Sequence, residues 1–194
     1  MSDINREKNG ALVRRGVKAA KIAKCAIFVV LMVVATYIQI PFPFVPLTFQ
    51  TVVAVLAGLL LGAKWGAASI AVYIFMGLLG LPVFTGGGGF SYVLNLTFGY
   101  TIGFIVAAFV SGLIAGSGQP TLLRTMIAAI CGFLVNYAVG IPYFAIIYHF
   151  YMHNSGVWQI VVTGNLIYMP KDLILCVLAA FLARSVRKAI HPKI

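Results

Sequence analysis

The chain has 194 residues, of which 62% are hydrophobic and 9% charged, with a mean hydropathy of +1.04 and a formal net charge of +11. Soluble domains run near half apolar and about a quarter charged, so neither a water-soluble globule nor a solvated disordered chain fits this composition. At about 20 apolar residues per span it predicts an all-α, polytopic membrane protein of six transmembrane helices, with little length left for an ATPase or catalytic domain.

The chain opens on a basic stretch: Arg6, Lys8, Arg14, Arg15, Lys18, Lys21 and Lys24 precede the first apolar segment. Residues 1–23 read as a basic cytoplasmic tail, or as an interfacial helix from Ala11 to Lys24 on the anionic inner leaflet. A secretory signal also pairs a basic with an apolar stretch. Here no Ala-x-Ala-like site closes the apolar run, which continues into Tyr37-Ile38-Gln39-Ile40-Pro41, so a retained first span is predicted. Beside its start, Ala19, Ala23 and Ala26 form a small-residue stripe suited to docking a membrane partner.

Six apolar segments follow one another at 24–40, 47–63, 66–82, 93–116, 125–149 and 163–184, giving a six-helix membrane domain over 24–184 and a basic cytoplasmic C-terminal tail over 185–194. Pro41, Pro43 and Pro46, then Gly62 and Gly66, Pro82, Gly118 and Pro120, and Asn154 with Gly156 punctuate them. Lys64 and Arg124 mark two of the breaks, and Arg184, Arg187, Lys188 and Lys193 close the chain. The breaks near 40–46, 82–92 and 150–168 hold no Lys or Arg. This alternation places both termini in the cytoplasm and assigns the excess positive charge to topology and anionic lipid rather than to nucleic acid. On the fourth segment Gly99, Gly103, Ala107, Ser111 and Ala115 recur every four residues, a spacing read as close helix–helix packing inside the bundle. Cys25, Cys131 and Cys176 lie scattered in apolar segments and read as small hydrophobes, not as a disulfide or metal framework.

Polar groups at membrane depth are costly and mark candidate sites. Asp172 is the one acid outside the N-terminal tail, which holds Asp3 and Glu7. It follows Pro170 and Lys171, so one reading is a satisfied first-turn acid at a helix start and the other a ligand contact. The non-basic breaks favour the second, because they bring Thr48, Gln50, Phe84, Gly86, Gly87, Gly88, Gly89, Phe90, Ser91 and Tyr92 to the same membrane face. Asn136, Tyr137 and Tyr143 on the fifth segment join them. Apolar and aromatic walls with a few precise polar groups are the design of a small-molecule site. The glycine run is not a phosphate loop, since no Gly-Lys-Ser/Thr follows. His149 and His153 stand at i, i+4 without further ligands nearby, so no metal site is predicted; they read as interfacial, with Tyr148, Tyr151 and Trp158 as an aromatic belt.

The runs Ile40-Pro41 through Val45-Pro46-Leu47-Thr48-Phe49-Gln50, Ala57 through Gly62, Gly80-Leu81-Pro82-Val83-Phe84 with its glycines, and Gly99-Tyr100 with Gly103-Phe104 resemble the BioY family. Its members are the biotin-specific substrate-binding (S) components of energy-coupling factor (ECF) transporters of the bacterial cell membrane. The resemblance implies a biotin site near the outer surface, covered by the loop after the third span. It also implies a partner complex of one membrane coupling protein (the T component) and two cytosolic ATPases. Such a subunit is not an enzyme and holds no cofactor; ATP is used by its partners. The family commonly carries an Asp on span six with a Lys three residues later. Asp172 matches, Leu175 occupies the later position, and Lys171 directly precedes the Asp. Of a family Ala-x-x-x-Ala motif on span one, Ala26 is kept and Val30 replaces the second alanine.

Biotin's ureido N–H groups need acceptors, its ureido carbonyl a donor and its carboxylate a cation. The resemblance therefore assigns Asp172 and Asn136, with Gln50 as a further donor, to the polar ends. It assigns Phe84, Phe90, Tyr92 and Tyr143 to the ring system, and Lys171 or the glycine-loop amides to the carboxylate. Two other classes are weighed against it: a carrier or channel acting alone, and a membrane-embedded enzyme using Asp172 with His149 or His153.

Overall fold

A computed structural model of the protein describes residues 2–40, 46, 48–153, 156–166 and 168–190. Pro41, Phe42, Pro43, Phe44, Val45 and Leu47 of the first non-basic break, Asn154, and Lys193 of the C-terminal tail lie outside the described residues. Among the described residues every long element is helical: α1 (Ser2–Tyr37), α2 (Gln50–Leu61), α3 (Ala63–Leu78), α4 (Phe98–Ala115), α5 (Leu122–Ile146), α6 (Val157–Leu166) and α7 (Tyr168–Ile190). The first five predicted spans correspond to α1–α5 and the sixth to α7; α6 is an additional short helix before it. The basic stretch and the first span are one helix, since α1 runs unbroken from Ser2 to Tyr37. Lys18–Tyr37, Phe98–Ala115 and Leu122–Tyr151 are long and apolar enough to cross a membrane.

Glycines set the spacing of the bundle. α4 and α5, joined by a short turn, form its centre; α2 and α3 pack on α4, α7 closes on α5 and α2, and α1 lies along α2 and α3. A Cβ at Gly99 would stand 2.3 Å from the Tyr143 Cβ, at Gly112 2.3 Å from the Ala63 amide nitrogen, and at Gly58 2.1 Å from the Ala108 carbonyl oxygen. The stripe predicted on the fourth segment is thus spent on internal contact, as backbone approach without a hydrophobic drive requires. Overpacking of this kind costs about 1–3 kcal/mol. Gly58→Ala, which meets backbone rather than a side chain able to turn away, is expected to lower the thermal unfolding midpoint in detergent clearly; an unchanged midpoint would show that α2 and α4 are not in contact.

Short helices create the space for a site. α2 has 12 residues and α3 has 16, so at about 1.5 Å per residue they extend about 18 and 24 Å, short of a hydrocarbon core of about 30 Å. Gly62, at φ +82°, ends α2 and starts α3 at the basic end, so both helices fall short at the opposite, non-basic end. Non-helical backbone at that depth is tolerated where it is enclosed by protein or lines a cavity. The Thr48–Phe49 segment before α2 and the 79–97 connection after α3 fill that end. The positive-inside rule makes the non-basic end the outer one.

Candidate functional site

The 79–97 connection is a folded cap. Gly80, Gly87 and Gly89 take φ of +102°, +106° and +108°, which bends the chain sharply where a side chain would be strained. Phe84 and Gly87 exchange backbone hydrogen bonds of 2.9 and 3.1 Å, and the Gly89 amide donates to the Gly77 carbonyl at 2.8 Å. Two tyrosines of the bundle tie the cap down: the Tyr73 hydroxyl donates to the Val83 carbonyl at 2.8 Å, and the Tyr37 hydroxyl donates to the Pro82 carbonyl. These contacts turn Phe84 inward, against Gly77, edge-on to Tyr73 and stacked on Tyr92 with ring centroids 4.4 Å apart. A short 3-10 turn, Phe90–Leu94, then leads into α4.

Between the cap and the bundle lies a cavity of about 590 Å³, counted with its open mouth. Its walls include Thr48, Gln50 and Thr51 from α2 and the residues before it, Tyr73 from α3, Phe84, Thr85, Tyr92 and Thr97 from the cap, Tyr100, Thr101 and Phe104 from α4, Asn136 and Tyr137 from α5, and Tyr168, Lys171 and Asp172 from α7. Thr97, Tyr100, Thr101 and Phe104 are one helical face, at i, i+3, i+4 and i+7.

On the wall of this cavity Asp172 is only 6% exposed. Its Oδ2 accepts from the Thr51 hydroxyl at 3.0 Å and the Tyr137 hydroxyl at 2.9 Å, while its Oδ1 stands 2.7 Å from Lys171 Nζ. Lys171 Nζ also donates to the Thr48 carbonyl at 2.6 Å and lies 5.7 Å from the centre of the Phe49 ring. Three donors around one carboxylate explain how a charge is held at membrane depth. An ammonium has three protons, and among the described residues two are used, leaving one. A carboxylate has about four acceptor sites, and among the described residues Oδ1 keeps one of them open.

Two hydroxyl networks line the remaining wall. The Thr97 hydroxyl donates to Asn95 Oδ1 at 2.9 Å, so the Tyr92 hydroxyl, 2.8 Å from Thr97, donates to it and accepts from Thr85 at 2.9 Å. On the other side the Gln50 amide donates to the Tyr73 hydroxyl at 2.8 Å. Asn136 stands apart. Its Oδ1 is, among the described residues, the one buried side-chain polar atom without a hydrogen-bond partner. It faces Gly103, where a Cβ would come within 2.4 Å of it. An orphaned buried acceptor costs about 1–3 kcal/mol, which a donor on a ligand would recover.

Of the residues singled out in the sequence, Asp172, Lys171, Asn136, Tyr137, Gln50, Thr48, Phe84 and Tyr92 are brought together on the cavity wall. Gly86, Gly87, Gly88 and Gly89 shape the cap but do not line the cavity. Phe90 points outward, 78% exposed. Tyr143 lies behind the wall, its ring 6.0 Å from Phe98 and its hydroxyl donating to the Val93 carbonyl. Thr51, Tyr73, Thr85, Thr97, Tyr100, Thr101, Phe104 and Tyr168 complete the site. Ala19, Ala23 and Ala26 are exposed on α1 at the basic end. His149 and His153 are exposed, and among the described residues no three His, Cys, Asp or Glu side chains stand together to hold a metal ion.

An apolar helical bundle with a capped aromatic pocket and the Lys171–Asp172 ion pair at its outer end is an integral membrane protein built around a small-molecule site. The model of the BioY family matches residues 7–192, and the chain belongs to that family. A probable biotin transporter BioY of Lysinibacillus sphaericus is 41% identical over 165 residues, 84% of each chain. The biotin transporter BioY of Thermotoga maritima is 33% identical over 87% of this chain and 96% of its own length. Among solved structures, the S-component for biotin from an ECF-type ABC transporter superposes with a TM-score of 0.70 and 25% identity, covering 89% of this chain and 93% of that one. The chain is thus a multi-pass protein of the bacterial cell membrane in a family of transport subunits, not of enzymes.

Proposed function

We propose that this chain is the biotin-binding S component of an energy-coupling factor transporter, capturing biotin at the outer face and delivering it inward. The observation that carries the reading is the Lys171–Asp172 pair on the wall of a capped aromatic cavity, beside an Asn136 amide oxygen that lacks a partner. Biotin complements this set. One ureido N–H finds the open acceptor site of Asp172 Oδ1 and the other finds Asn136. Phe84 and Tyr92 cover the fused ring, and the valeryl carboxylate takes the remaining proton of Lys171. Gln50 and Thr48 steady the wall through Tyr73 and Lys171. Because the acid is already held by Thr51 and Tyr137, little reorganisation accompanies binding.

Nothing in this chain supplies energy for uphill transport: it holds no nucleotide-binding motif. A membrane coupling protein (T component) and two ATPases supply that work, and the exposed Ala19, Ala23 and Ala26 face of α1 is the contact for the coupling protein.

The test is equilibrium binding of labelled biotin to the purified chain in detergent, without partners, with lipoate as competitor. Lipoate keeps the carboxylate tail and sulfur but lacks the ureido group, leaving two buried acceptors unpaired at about 1–3 kcal/mol each. Biotin is expected to bind one to one and lipoate to compete at least about a hundredfold more weakly. Absence of biotin binding, or equal competition by lipoate, would refute the assignment.

A further inference from the structure

A second cleft lies at the basic end, far from the biotin site. It holds about 990 Å³, counted with its open mouth, between the α4–α5 connection (Gln119, Pro120, Thr121) and the last turns of α7 (Arg184, Arg187, Lys188). Arg187 is the anomaly. It is 8% exposed, yet the acceptors it meets are neutral: its Nη1 donates to the carbonyls of Gly116 at 3.1 Å and Gly118 at 3.2 Å. Among the described residues the one ion pair is Lys171–Asp172, so no carboxylate balances this buried guanidinium or its two basic neighbours. A guanidinium has five N–H donors, the two hydrogen bonds seen here both come from Nη1, and Arg187 lines the cleft beside Arg184 and Lys188. A buried charge without a counter-charge is expensive, and an anion is the missing piece.

We infer that this cleft binds the phosphate of an anionic glycerophospholipid of the inner leaflet. The positive-inside rule sets the basic end at the cytoplasmic interface, where such phosphates lie. The apolar surface leading away from the cleft favours a lipid over a free anion. Leu178, Phe181, Ser185 and Lys188 fall on one face of α7, with Leu178 57% and Phe181 47% exposed, so acyl chains have a track that ends at the basic head. The phosphate pairs with the Arg187 guanidinium, and Arg184 and Lys188 close over it.

The experiment measures thermal unfolding of the full chain in neutral detergent with phosphatidylglycerol, phosphatidylcholine or glycerol phosphate. Wild type and the Arg184→Gln/Lys188→Gln double variant are compared, the latter keeping the buried Arg187. Phosphatidylglycerol is expected to raise the wild-type midpoint by at least about 3 °C, and the other two additives to leave it in place. The double variant is expected to keep its biotin affinity and lose the shift. An equal shift with phosphatidylcholine, a shift with glycerol phosphate alone, a shift retained in the double variant, or no shift at all would overturn the inference. The last result would leave an acidic segment of a partner protein as the occupant.

Discussion

Asp172→Asn is expected to weaken biotin binding by at least tenfold while the protein remains folded. The carboxylate organises four groups at once. Thr51 and Tyr137 donate to Oδ2, Lys171 pairs with Oδ1, and Lys171 in turn holds the Thr48 carbonyl at the mouth of α2. The amide substitute offers one acceptor oxygen in place of two and turns an N–H₂ toward Lys171 or toward the ligand's own ureido N–H. Losing one hydrogen bond to a charged acceptor costs about 1.5–3 kcal/mol, and each 1.4 kcal/mol is a factor of ten in affinity. Stability falls less than for a fully buried pair, because the Lys171 side chain is 29% exposed and water reaches the orphaned ammonium. Adding Lys171→Gln removes that orphan, so the double variant should regain stability but not affinity. Equilibrium binding and thermal unfolding of the two variants check this; wild-type affinity in Asp172→Asn would remove the acid from the site.

Gly103→Ala carries the second largest expected effect, since it couples packing to the ligand. The added Cβ would stand 2.4 Å from Asn136 Oδ1 and 2.9 Å from the Asn136 carbonyl oxygen. No real contact is so short, so α4 and α5 must part or Asn136 must turn away from its place on the wall. The expected outcome is a stability loss of about 1–3 kcal/mol and an affinity loss of at least tenfold. Gly99→Ala, one turn earlier, is the internal comparison. Its Cβ meets Tyr143, which stands outside the cavity, so it should cost comparable stability with a much smaller loss of affinity. Equal affinity losses would mean that Asn136 makes no specific contribution.

These predictions rest on features of unequal visibility in the sequence. Asp172, Lys171, Gln50 and Thr48 stood out because polar groups at membrane depth need a reason to be there. The glycine stripe on α4 stood out because its four-residue spacing repeats for several turns. Thr51 did not, and Tyr137 stood out only as a pocket aromatic, although both hold Asp172 directly. A hydroxyl in an apolar helix commonly satisfies itself on its own backbone, as Thr36 does on Met32, and only the register between α2, α5 and α7 shows which hydroxyls turn to an acid. Tyr137 and Tyr143 look alike along the chain; the approach of Tyr143 to Gly99 takes it behind the wall.

The lengths of the helices were also hidden. The stretches 47–63 and 66–82 have the apolar length of full spans, but Gly62 and the glycine-rich turn from Gly80 confine the helices to Gln50–Leu61 and Ala63–Leu78. That shortening is what opens the cavity. The cap was legible as a glycine-rich loop, and it is a folded turn because Tyr73 and Tyr37 bind its Val83 and Pro82 carbonyls. Phe84 turns in under those restraints and Phe90 turns out. The i, i+3, i+4, i+7 set on α4 was not singled out in the sequence, and only the placement of α5 and α7 opposite it turns that face into a wall.

The account stands on the pairing of a ureido N–H with the free acceptor site of Asp172, and a cycle of ligand and side-chain changes measures that pairing. Biotin and its derivatives methylated at either ureido nitrogen would be titrated into the wild-type chain and into Asp172→Asn. The pairing predicts that methylation at one nitrogen costs wild type at least tenfold and costs the variant little more than the substitution already has. The same fold-loss in both proteins, for both derivatives, would contradict it.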